Sequence, residues 1–119
     1  MNKVFFVLLL CTNLIYGDLG KFKGWEKTWV KHLLTEKELK EFKKIKTEKE
    51  AEIFISNFWK KRDPTPGTEE NEFKERCENL AKYADREFST KNKRGSETER
   101  GRVLLLLGYP SFIKRQDSS

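Results

Sequence analysis

The stretch Arg102-Val-Leu-Leu-Leu-Leu-Gly108 decides the fold, because it places five aliphatic residues in succession between an arginine and a glycine. A short, continuous apolar run bounded by glycines is typical of a β-strand that is buried on both faces. The sequence therefore predicts a strand at 103–107. A strand cannot satisfy its backbone hydrogen bonds alone, so it needs at least one neighbouring strand.

The residues that follow Gly108 are too few to build a complete sheet. Eleven residues remain, and after a turn at Pro110 they provide at most one short return strand. Either the amino-terminal segment adds a strand, or the domain is incomplete, or the open edge pairs with another chain. We expect the third arrangement, with Val103, Leu105 and Leu107 at a sheet edge that accepts a protein partner or a second copy.

About three amphipathic helices are predicted before this strand. The sequences Thr35-Glu-Lys-Glu38 and Thr47-Glu-Lys-Glu50 are capping boxes, which place helices at about 36–46 and 48–61. The Pro-rich loop after Arg62 ends the second helix, and Thr68 is expected to cap a third at about 69–88. The predicted fold class is therefore α+β, with a domain at 35–115 and a tail at 116–119.

The first 34 residues divide into two predicted segments. Residues 1–17 match a signal peptide, since Lys3 precedes an apolar run and Gly17 provides a small residue at the cleavage point. The protein is thus expected to be exported, to the periplasm or the extracellular space. Residues 18–34 form an aromatic-rich segment in which Phe22, Trp25 and Trp29 recur at helical spacing, and we expect them to cover the core.

Composition limits the class of protein. The chain has 119 residues with a formal net charge of +6, and 37% of its residues are charged against 36% apolar. Charged residues are thus more abundant, and apolar ones scarcer, than in a typical domain, so we expect one small domain with a thin core. A two-domain enzyme and a multi-span membrane protein are excluded. Once the leader is removed only Cys77 remains, so we expect no internal disulfide, no cysteine metal site and no cofactor.

Several segments between 33 and 113 resemble the GWxTD-domain family of exported bacterial proteins of unknown function. They are Leu34-Thr-Glu-Lys-Glu-Leu39, Phe58-Trp-Lys-Lys-Arg-Asp-Pro-Thr-Pro-Gly-Thr-Glu-Glu-Asn-Glu-Phe73, Tyr83-Ala-Asp-Arg-Glu-Phe88 and Arg100-Gly-Arg-Val103. The family signature aligns with Gly95-Ser96-Glu97-Thr98-Glu99, where Ser96 replaces the tryptophan and Glu99 replaces the aspartate. Because the family pattern continues beyond residue 119, the resemblance implies a shortened copy. It implies no reaction.

The first functional hypothesis is a non-catalytic structural or protein-interaction domain. Besides the strand, an architectural or interaction role is expected for two segments, the loop at 62–67 and the arginines at 100 and 102. For the loop, two roles stay open, which are fixing a turn and binding a ligand. Asp63 is expected to accept from loop backbone donors or to pair with an arginine of the second segment. The residues are Arg62, Asp63, Pro64, Pro66 and Gly67 in the first segment, and Arg100 and Arg102 in the second.

Two alternatives come from the charged residues. An envelope-associated hydrolase could use the carboxylates of Asp63, Glu69, Glu70 and Glu72, but the sequence has no H-E-x-x-H, no G-x-S-x-G and no P-loop. A weak binder of anionic surface polymers could use two basic clusters, which are Lys40, Lys43, Lys44 and Lys46, and Lys91, Lys93 and Arg94. Acidic residues interrupt most of the basic ones, so nucleic acid is not an expected partner.

Overall fold

A computed structural model describes residues 18–109, and this part of the chain contains helices and turns but no β-strand. Its four α-helices are α1 (Glu36–Lys43), α2 (Glu48–Lys60), α3 (Glu72–Phe88) and α4 (Glu99–Leu107). Four 3₁₀ helices accompany them, at Gly20–Phe22, Trp25–Lys27, Trp29–His32 and Gly95–Glu97. The predicted α+β class is therefore wrong, and the described chain is all-α.

The aliphatic run at 103–107 forms the second half of α4 instead of a strand. Thr98 caps this helix by accepting a hydrogen bond from the Gly101 N–H at 3.2 Å, and Gly108, with φ of 86°, ends it by donating to the Leu104 carbonyl. Leucine has a high helix propensity, and Val103 is the only β-branched residue in the run. The predicted strand and sheet edge are thus wrong because the flanking residues supply both helix caps.

The first capping box is confirmed in full. Thr35 Oγ1 accepts from the Glu38 N–H at 3.1 Å, and Glu38 Oε1 accepts from the Thr35 N–H at 3.1 Å. In the second box only the forward bond forms, from the Glu50 N–H to Thr47 Oγ1. The helices α1 and α2 begin at the predicted residues and end one to three residues early.

Helix α3 begins three residues later than predicted. Asn71 caps it by accepting from the Lys74 N–H at 3.0 Å, and the Asn71 amide also donates to the Trp59 carbonyl at 2.8 Å. Thr68, the predicted cap, instead donates to the carbonyls of Thr65 and Glu70. Asn71 is the stronger cap because it fixes α3 to the end of α2.

The core is aromatic and joins the two ends of the described chain. Trp25 packs against Phe42 and Phe58 with ring centroids 5.2 Å from each. Trp25 and Trp29 pack against the core cluster, which confirms the prediction for these two aromatics. The buried cluster combines one residue before α1 with residues of α2, α3 and α4: Val30, Phe58, Trp59, Cys77, Leu80, Ala84, Leu104 and Leu105. Cys77 is buried in this cluster at 2% exposure.

Some predictions fall on residues that the structure does not describe. The signal peptide at 1–17, the turn at Pro110, the end of the predicted domain at 115 and the tail at 116–119 lie outside 18–109. Among the helices within that range, none has the length and hydropathy needed to cross a bilayer.

Candidate functional site

A buried ion pair connects the start of α1 to the end of α2. The Arg62 guanidinium donates to both carboxylate oxygens of Glu38, with Nη2 2.7 Å from Oε1 and Nη1 3.0 Å from Oε2. Arg62 also donates to the carbonyls of Phe58 and Leu33, at 3.0 and 3.3 Å. This bidentate geometry is the strong form of an arginine–carboxylate contact, and it fixes three segments of the chain to one another.

The pair is almost enclosed, and this controls the charge of Glu38. The Glu38 side chain is 8% exposed and that of Arg62 is 20% exposed, while the guanidinium carbon lies 3.8 Å from the centroid of the Phe58 ring. Burial alone favours the neutral acid. The hydrogen bonds from Arg62 and from the Thr35 N–H outweigh it, and they lower the pKa of Glu38 from 4.5 to about 2.

The depressed pKa of Glu38 predicts an acid-sensitive contribution to stability. Because the folded state holds the carboxylate ionised, the pair stabilises the fold fully above pH 4.5 and progressively less as the pH falls towards 2. We expect wild type to exceed Glu38→Gln in free energy of unfolding by about 2 kcal/mol at pH 7, and by less than half of that at pH 3. Urea titrations at the two pH values measure the difference, and a gap that stays constant would contradict the assignment.

The residues of the predicted loop at 62–67 make local hydrogen bonds with one another and with the start of α3. Asp63 Oδ1 accepts from the Thr65 N–H at 2.9 Å, which is an Asx turn, and Thr65 Oγ1 donates to the Glu72 carboxylate at 2.6 and 2.9 Å. Arg100 and Arg102 do not pair with Asp63. Arg102 pairs with Glu99 at 3.4 Å, and the Arg100 guanidinium carbon lies 5.6 Å from the Phe88 ring centroid. The loop residues Pro64, Pro66 and Gly67 are exposed.

The turn at 95–97 forms a close-packed junction between α3 and α4. A Cβ at Gly95 would overlap the Ala84 carbonyl, and a Cβ at Gly101 would overlap the Gly95 carbonyl. The Ser96 backbone is held from both sides, since its N–H donates to Asp85 Oδ1 at 2.8 Å and its carbonyl accepts from His32 Nε2 at 3.0 Å. Close packing of the backbone therefore requires glycine at positions 95 and 101.

The outer face of α4 is apolar and uncovered within the described chain. Val103 and Leu106 are each 50% exposed and Leu107 is 79% exposed, whereas Leu104 and Leu105 are buried in the core. Leu105, predicted to lie at an interaction edge, is thus a core residue at 4% exposure. We call the three exposed side chains of Val103, Leu106 and Leu107 the α4 face.

Two adjoining grooves are lined by residues outside the α4 face. The first, of about 580 Å³, is bounded by the amino-terminal segment, α2, α3 and the turn at 94–97, and all three tryptophans of the chain line it. The second, of about 400 Å³, is formed by residues 89–94 and Glu97. Arg94 and Glu97 line both grooves.

Four titratable side chains of the described chain have pKa values shifted by their surroundings. No three His, Cys, Asp or Glu side chains within 18–109 are placed to bind a metal ion together. Burial lowers the pKa of His32 and raises that of the Cys77 thiol, and the Thr65 hydrogen bond lowers the pKa of Glu72. The carboxylates at Glu38 and Glu72 are therefore held ionised, which is the opposite of what a general acid requires.

Comparison with known proteins adds no further constraint. No family model matches the chain, and neither the curated proteins nor the solved structures contain a match.

Proposed function

We propose that this chain is an exported, non-catalytic protein-interaction domain that associates with a second copy of itself through the α4 face. The observation that carries the proposal is the exposure of Val103, Leu106 and Leu107 side by side on one short helix. Export and membership of the GWxTD-domain family are proposals that rest on the sequence alone, on the leader-like residues 1–17 and on the quoted segments.

The second half of α4 is apolar on two sides, and the residues described by the structure cover only one of them. Leu104 and Leu105 pack into the core, while residues 103, 106 and 107 recur at the three- and four-residue spacing of a helix face. A helix that is hydrophobic on all sides is normally buried. Since contiguous apolar surface on a soluble domain marks interaction sites, the α4 face is the best candidate in the described chain.

The charges of α4 favour a second copy as the partner. Arg100 and Arg102 lie in its first half, and no basic residue lies in its last turn, where the helix dipole is negative. Two copies of α4 packed antiparallel about a two-fold axis would bring Arg102 of one copy close to the carbonyl end of the other. Such a contact is self-complementary, as a two-fold interface requires.

The expected dimer is weak. Three aliphatic side chains form only part of the roughly 800 Å² per partner that stable complexes bury, so we expect a dissociation constant in the micromolar range or above. Association should therefore depend on concentration.

Light scattering coupled to size-exclusion chromatography tests the proposal on the full chain without its leader. We expect wild type to shift from monomer towards dimer as concentration rises, and Leu106→Lys to remain monomeric, because a charge at the centre of the α4 face cannot be desolvated. Ile53→Lys is the matched control, since Ile53 is 52% exposed on α2 and should leave association unchanged.

Two results would contradict this proposal. A wild type that stays monomeric at millimolar concentration means that no second copy binds the α4 face. A dimer that Leu106→Lys and Ile53→Lys affect equally places the interface elsewhere. Circular dichroism of each variant checks that the helices remain folded.

A further inference from the structure

We propose that the two adjoining grooves form one binding site for an extended acidic peptide that carries an apolar anchor residue. The first groove, lined by Trp25, Trp29 and Trp59, would receive the anchor, and the second would bind the acidic residues. This site involves no residue of the α4 face, so it is independent of the proposed self-association.

The first groove has the size and lining of an anchor pocket. Its volume of about 580 Å³ lies within the range of ligand sites, which are mostly apolar with a few polar groups. Trp25 and Trp29 are partly exposed, and Ile55 of α2 adds an aliphatic side chain to the wall. Tryptophan is also the residue most enriched at the energetic centres of protein interfaces.

The second groove is positively charged. Lys91, Lys93 and Arg94 line it against the single acid Glu97. None of these four side chains takes part in an ion pair within the described residues. Lys74 and Glu78, at the rim of the first groove, are in contrast 3.8 Å apart and pair with each other. The second groove therefore holds three basic side chains that form no ion pair within the described residues. This favours binding of an anionic segment at that end of the combined groove.

The loop that carries these cations is held by its own hydrogen bonds. The Thr90 N–H donates to the Lys93 carbonyl at 2.9 Å, and the Gly95 N–H donates to Ser89 Oγ at 2.9 Å. Because the backbone is already ordered, less conformational entropy is lost when a ligand binds. Half of the residues that line the first groove are apolar and half are polar or charged. A groove with three tryptophans that continues into an ordered basic loop matches a peptide with an apolar residue next to acidic ones.

Tryptophan fluorescence gives a direct test, since every tryptophan of the chain lines the first groove. The probes are blocked peptides of one leucine, one phenylalanine and three glutamates, made in both orders, with matched peptides that carry lysine instead of glutamate. We expect at least one glutamate peptide to change the emission and to bind at least tenfold more tightly than its lysine counterpart. Binding should weaken as salt rises from 0.05 to 0.5 M, on the order expected for screened contacts.

Charge reversal at the basic loop provides the matched comparison. Arg94→Glu should weaken glutamate-peptide binding about tenfold, whereas Lys40→Glu, an identical charge change on exposed α1, should alter it less than twofold. The proposal is overturned if neither peptide order changes the emission at millimolar concentration, or if both variants have the same effect. It is also overturned if an anionic polysaccharide such as polygalacturonate binds as tightly as the peptide, because the apolar anchor would then have no role.

Discussion

Arg62→Ala should lower the free energy of unfolding by about 3 kcal/mol, because it removes the bidentate partner of the buried Glu38 carboxylate and leaves Lys61 Nζ, at 3.4 Å, as the cation beside it. The variant also removes the donors to the carbonyls of Phe58 and Leu33, so the end of α2 loses its attachment to two other segments. Urea denaturation followed by circular dichroism at pH 7 measures the loss. We expect the variant to be partly unfolded at 37 °C, since small domains have only about 5–15 kcal/mol of stability in total.

Two controls separate this effect from the loss of any surface arginine. Arg86 is 69% exposed on α3 and pairs with Glu87 at 3.4 Å, so Arg86→Ala should cost less than about 1 kcal/mol. The double variant Glu38→Gln with Arg62→Met removes both charges together, and we expect it to be more stable than Arg62→Ala alone. Equal losses in Arg62→Ala and Arg86→Ala would show that the buried pair does not stabilise the fold.

Gly95→Ala and Gly101→Ala should each destabilise the domain by more than about 3 kcal/mol, because overpacked backbone contacts force the main chain to move. The added methyl group would overlap main-chain atoms of Ala84 in the first case and of Gly95 and Ser96 in the second. A main-chain carbonyl cannot rotate away as a side chain can. Thermal and urea denaturation by circular dichroism, with soluble yield as a first indicator, measure the effect.

Gly67→Ala is the matched control for both glycine variants. Nothing lies within 4 Å of a Cβ at Gly67, and its φ is not positive, so alanine should be neutral or should stabilise the fold by up to about 1 kcal/mol. If Gly95→Ala were tolerated as well as Gly67→Ala, the turn at 95–97 would not pack against α3 as closely as the structure has it.

Local signals predicted the starts of α1 and α2 correctly. Threonine at 35 and 47 sets the starts of α1 and α2 because the capping bonds span only three residues. The ion pair between Arg62 and Glu38 was not predicted, because the two residues are 24 positions apart in sequence. The capping box explains the presence of Glu38 by itself, so the sequence does not indicate that its carboxylate also binds a distant arginine. The same limit applies to Asn71, whose bond to Trp59 depends on how α2 and α3 pack.

The error at 103–107 has a specific cause. Five consecutive aliphatics carry no periodicity, so a buried strand and a buried helix look the same, and only the flanking residues distinguish them. Thr98 and Gly108 are the helix start and stop signals that decide the question. Reading this run as a strand also predicts the wrong interaction residues. A strand places 103, 105 and 107 on one face, whereas the helix exposes 103, 106 and 107.

The core cluster also constrains when the protein folds. Val30 packs in the same cluster as Leu104 and Leu105, more than 70 residues later in the chain. During synthesis the amino-terminal aromatics have no complete surface to pack against until α4 has left the ribosome, and closing so long a loop is entropically costly. The core is therefore completed only after synthesis has passed Leu105, and until then Val30 and the residues that it packs against stay accessible to chaperones.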